Sequence, residues 1–111
     1  MVTAETAVVL PVLLLVLAGA VAAVTVVGAQ LRCVDAAREG ARAAARGEST
    51  TAVTALVDRA APDGAIPIVA PEGEEVRVTV SARIAPLGPV PLRITVSAAA
   101  VALREPGEAT G

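Results

Sequence analysis

The chain has 111 residues, with nine basic and eleven acidic side chains, a net charge of −2, no histidine, one cysteine and no aromatic residue. Every basic residue is arginine and no basic cluster lies outside one helix, so nucleic-acid binding has little support. With no second cysteine and no carboxylates at metal-ligand spacing, neither a metal, another cofactor nor an enzymatic constellation is expected.

Residues 6–29 form an unbroken apolar run, and nothing ionises between Glu5 and Arg32. As a helix this run reaches about 36 Å, enough to cross a hydrocarbon core of about 30 Å with some tilt. Pro11 removes the hydrogen bond to the Ala7 carbonyl and predicts a kink in the membrane helix. Ala18/Ala22 and Gly19/Ala23 recur at four-residue spacing, which lets helices approach closely. The first residues, MVTAE, lack the positive charge of a secretory signal, although Ala20-Val21-Ala22 has the form of a cleavage motif. Arg32, Arg38, Arg42 and Arg46 follow the span and, read literally, place the remainder in the cytoplasm. A basic segment preceding Met1 would reverse that orientation.

Roughly 80 residues are left for a water-facing part, enough for one small domain. Its apolar residues are Val, Ala, Leu and Ile, which predicts a thin core that leans on a partner. The abundance of Ala, Val and Gly with Arg in place of Lys reads as the codon bias of a high-GC bacterial genome. Residues 30–46 continue the helix as an amphipathic stem with an arginine stripe at Arg38, Arg42 and Arg46. The stem offers i,i+3 pairs Arg32–Asp35 and Glu39–Arg42, and an apolar face of Val34, Ala37, Ala41 and Ala44. Cys33 reads as a small apolar side chain just outside the bilayer.

Gly47 predicts the helix stop, and Ser49 or Thr50 caps a second helix over residues 51–61 with Val53, Leu56, Val57 and Ala60 on one face. Pro62-Asp63-Gly64 is a turn. Residues 66–70 predict a short edge strand, because Pro67 bars a central position. Glu72, Glu74 and Glu75 read as a solvated turn. Strict alternation over residues 76–84 and its resumption from Leu92 to about Leu103, separated by the loop 85–91, predict an antiparallel hairpin or three-stranded sheet. The tail, residues 105–111, reads as loose. The fold class is thus α+β: a long N-terminal helix, a second short helix and a small antiparallel sheet. Its parts are a transmembrane helix (1–31), a helical stem with the second helix (32–61) and a β-rich C-terminal part (62–111).

The segments TAETAVVLPVLLLVLAG and QLRCVDAAREGARAAARGE, with a weaker echo in PLGPVPLRITVSAAAVALREP, resemble the TadE-like minor pilins (pseudopilins) of actinobacterial tight-adherence, Flp-type IV pilus systems. In that family a short basic leader ends in Gly and a prepilin peptidase cuts after it. The resemblance implies that Met1 is the first residue after the cut and that Glu5 is the family's acid, which meets the free amine of a neighbouring subunit during assembly. It implies a minor pilin acting as a structural assembly subunit of a Tad-type pilus or secretion apparatus. Its partners would be the membrane, the peptidase, a major Flp-type pilin, other minor pilins and the Tad membrane platform. It would be single-pass in the cytoplasmic membrane, with the C-terminal part outside. The leader is not part of this sequence. Two rivals are a signal-anchored extracytoplasmic binding or regulatory protein that never polymerises, and a secreted domain freed near Ala22.

Overall fold

A computed structural model describes residues 2–104; the expectations for Met1 and for the tail, residues 105–111, lie outside the described residues. The first element, α1 (Val2–Ala45), is one helix of 44 residues that runs through Pro11 without interruption. Its end follows from Gly47, whose φ of 82° only glycine adopts cheaply. The Glu48 N–H then reaches the Ala43 carbonyl at 3.2 Å and the Gly47 N–H the Ala44 carbonyl at 3.0 Å, closing the last turn on itself.

The second helix, α2 (Thr50–Ala60), starts where the Ser49 Oγ accepts from the Ala52 N–H at 3.1 Å, the cap expected of that serine. It folds back along α1 and buries Val53 and Val57. Three strands follow: β1 (Ile66–Glu72), β2 (Glu75–Ile84) and β3 (Ile94–Leu103), antiparallel in the order β1-β2-β3. Pro67 lies on an edge strand, as its missing N–H requires, and β1 runs on to Glu72. The β1–β2 turn passes through Gly73, at a φ of 62°. β3 begins at Ile94, two residues later than the alternation indicates, because Pro91 keeps Leu92 and Arg93 in the loop.

Period-2 alternation gives the sheet one buried face. Val76, Val78, Val80 and Ala82 of β2 and Val96 of β3 point at α1, while Arg77 and Arg83 point away. The core is built of small side chains, and the largest that are fully buried are Val53, Val57, Val78, Val80 and Cys33. Small residues let the layers close tightly. A Cβ on Gly40 would sit 2.8 Å from Cγ2 of Val57 and 3.0 Å from Cγ1 of Val78, so α1 touches α2 and the sheet at that point. The molecule measures 77 × 20 × 17 Å because about half of α1 projects beyond this body.

Candidate functional site

The projecting half of α1 is the first candidate. Its large apolar side chains, among them Val8, Leu10, Leu13, Leu14, Leu15 and Leu17, are all exposed. A helix of this length and composition is able to cross a membrane, and its most apolar window has no buried residue. Glu5 lies in its first turn and is exposed, beside Thr6, whose Oγ1 donates to the Val2 carbonyl at 2.9 Å. Negative charge at that end is favoured by the helix dipole. Pro11 stands in the next turns, also exposed.

The stem differs in detail from its sequence pattern. The buried positions are Cys33, Ala36, Ala37, Gly40, Ala41, Ala43 and Ala45, whereas Val34 and Ala44 are half-buried. The expected face turns because α2 and the sheet cover α1 from two sides. Neither predicted i,i+3 ion pair forms: among the described residues the salt bridges are Arg46–Glu48 at 2.6 Å and Arg77–Glu72 at 3.1 Å. Arg32 instead donates to the Ala61 carbonyl at 3.0 Å, a free acceptor beyond the end of α2. Gln30 donates from Nε2 to the Ser97 carbonyl at 2.8 Å. Arg38, Arg42 and Arg46 are exposed, so the stripe is solvated over its length. Sequence patterning gave no notice of Gln30 or of Gly40; a glycine amid alanines and arginines was the available sign of a close approach.

Cys33 is fully buried at the centre of the core and free. Burial pushes its thiol above the ordinary range, and the neighbouring Arg32 charge pulls it partly back. Such a thiol is a packing residue, not a nucleophile. Among the described residues no three of Asp, Glu, Cys or His gather in a group that could hold a metal ion.

The two sheet edges are unlike. The Arg104 N–H bonds to the Glu74 carbonyl at 2.8 Å, and with the register this assigns the even-numbered residues of β3 to β2. Thr95, Ser97, Ala99, Val101 and Leu103 therefore turn their backbone groups to the outer edge, which carries neither proline nor charge and where Gln30 already takes the Ser97 carbonyl. On β1 the same alternation puts Pro67, Val69 and Pro71 at the edge, and two of these three lack an N–H. One edge is blunted against strand addition by its prolines, whereas the other is occupied by Gln30 at Ser97 and carries no such block from Ala99 to Leu103.

A family model described as TadE-like protein matches residues 1–42. A curated protein of Mycobacterium tuberculosis (strain ATCC 25618 / H37Rv), named apoptosis inhibitor Rv3655c, is 42% identical over 103 residues, which cover 93% of this chain and 78% of the relative. No solved structure matches the chain significantly.

Proposed function

The chain belongs to the TadE-like family, and from that membership we propose that it is a minor pilin: a membrane-anchored structural subunit of a Tad-type (Flp) pilus or secretion apparatus. The single observation that carries this reading is Glu5, an exposed acid at the head of a helix that is otherwise uncharged until Arg32. A carboxylate costs on the order of 2.5–3.5 kcal/mol at mid-helix and less near the interface, so an acid bordering the apolar run gains from meeting a positive partner there. In this reading the partner is the amine freed at Met1 of a neighbouring subunit by a prepilin peptidase. The pair sets axial register more than it adds stability.

The rest of the molecule supports the same role. The anchor runs without a break into the stem. The sheet leaves the Ala99–Leu103 part of one edge available to a neighbour and blunts the other with proline. The partners in this reading are a major Flp-type pilin, other minor pilins and the Tad membrane platform, and the sheet lies outside the cytoplasmic membrane. Glu5→Gln is expected to leave membrane insertion intact and to deplete the subunit from sheared surface fibres. Equal amounts of wild type and variant in those fibres overturn the role of Glu5.

The name of the mycobacterial relative favours a second reading, in which an exposed and non-polymerising form of the chain inhibits apoptosis. Caspase activity in cultured cells exposed to residues 25–111 tests it, and no difference from a buffer control removes it.

A further inference from the structure

β3 runs alongside α1 in the same direction. Gln30 bonds to Ser97, while Ala44, Ala45 and Gly47 line one shallow hollow with Val76 and Arg104. The path from Ser97 to Arg104 is about 23 Å of strand, and that from Gln30 to Ala45 about 22 Å of helix. β3 begins three residues before Ser97, at Ile94, so its start lies about 10 Å further toward the membranous half of α1. That distance corresponds to roughly seven helical residues, the level of Ala23 and Val24. Side-chain packing agrees: Ile84, Ile94 and Val26 pack against the same core, and Ala22 is half-buried among exposed neighbours.

The β2–β3 loop, residues 85–93, therefore hangs from the end of the sheet at or below this level. A hydrocarbon core counted from Thr6 takes about 20 helical residues and ends near Thr25. The loop thus reaches the layer where α1 leaves the bilayer. The turn after α2, which holds Asp63, stands further out, because Ile66 pairs with Ser81 and Ser81 with Ser97, at the height of Gln30.

The loop has the chemistry of that layer. It is uncharged from Ile84 to Leu92, with Val90 48% and Leu92 41% exposed, and the exposed Arg83 and Arg93 stand on either side. Few of its backbone donors are left open. Pro86, Pro89 and Pro91 have no N–H to lose, and Gly88, Val90 and Leu92 donate within the loop to Ala85, Leu87 and Val90 at 3.3, 3.3 and 2.7 Å. Among the described residues the Ala85 and Leu87 N–H groups of this stretch are left without a backbone acceptor. A segment with few open donors enters a poorly hydrated layer at low cost. The opposite end of the body carries a charged mixture, with Glu48 paired to Arg46, Glu72 paired to Arg77, and Glu74 and Glu75 near Arg104, in contrast to the uncharged loop.

We propose that the β2–β3 loop is a second membrane contact: Val90 and Leu92 dip into the interfacial layer beside α1, and Arg83 and Arg93 lie among the lipid phosphates. The proposal rests on α1 being the membrane anchor. A single anchoring helix is free to turn about its own axis, and a second contact off that axis fixes which way the sheet faces.

The test places an environment-sensitive fluorophore on Val90→Cys and, separately, Leu92→Cys, in the full chain reconstituted in phosphatidylethanolamine–phosphatidylglycerol vesicles. Cys33 stays in place because it is buried, and the unsubstituted chain is the blank. Leu14→Cys, read with lipids spin-labelled deep in the acyl chain, marks the span and Glu48→Cys the far end. Both loop sites are expected to emit at shorter wavelength than Glu48→Cys and to lose emission to lipids spin-labelled near the headgroup. Loop sites that emit like Glu48→Cys while Leu14→Cys is quenched by lipid overturn the loop contact and leave the anchor standing. A Leu14→Cys site that lipid does not quench removes the anchor and the loop contact together.

Discussion

The two halves of α1 use opposite rules in one continuous helix. In the first half the large side chains are outside, with Leu15 73% exposed, and the small ones set the spacing between them. In the second half the small side chains are inside, with Ala36 and Ala43 fully buried, and the long ones, Arg38 and Arg42, are outside. In water the first arrangement leaves a large apolar area exposed at about 25 cal/mol per Å², whereas lipid removes that penalty. The second arrangement gives a water-facing body close contact between layers in place of bulk. The comparison teaches that burial of bulk is not the mark of a helix face that matters here; the solvent on each side decides which residue size belongs there.

The comparison is broken most severely at its glycines. Gly40→Leu drives a side chain into Val57 and Val78 and is expected to cost roughly 3 kcal/mol, read as a fall in the thermal midpoint of the sheet signal in detergent. Gly19→Leu meets nothing within 4 Å in the isolated chain, and the same melt is expected to stay unchanged. Next in size, Val78→Ala empties a fully buried position and is expected to lose about 2 kcal/mol in urea unfolding. Leu15→Ala in the other half should move that unfolding by less than about 0.5 kcal/mol. The smallest effect concerns Cys33. Its thiol ionises at higher pH folded than unfolded, so above the ordinary thiol range the unfolded chain has lost a proton that the folded chain keeps. Stability contributed by the neutral buried thiol is therefore complete below that range and declines as pH rises through it. Urea midpoints measured across alkaline pH should show this slope, and Cys33→Ala should flatten it.

Much of the architecture was legible in the residues. Uninterrupted hydropathy marked the first half of α1, Gly47 and Ser49 marked the break between helices, Pro67 assigned an edge, and strict alternation marked β2. The inward face of the stem was not legible in full. When a helix segment is rich in alanine, the contrast between large and small that carries a 3.6-residue period is missing, and Val34, larger than the alanines of the stem, lies off the face formed by Cys33, Ala36 and Gly40. The partners of Arg32 and Gln30 were hidden for another reason: both are distant backbone carbonyls, which every residue has and no sequence pattern marks. The expected Glu39–Arg42 pair lies on an exposed face where such contacts gain little. Glu5 was visible at once, but an acid in a first helical turn has the same local geometry whatever it later meets, so its role came from resemblance.

The unbroken passage of α1 from the lipid-facing half into the centre of the body has a mechanical consequence. No joint separates the part inside the bilayer from the part outside. A lean of about 20°, usual for membrane helices, carries the tip of a rod 77 Å long sideways by roughly 25 Å. A push or a twist delivered below the surface therefore arrives above it undiminished, as along the beam of a lever.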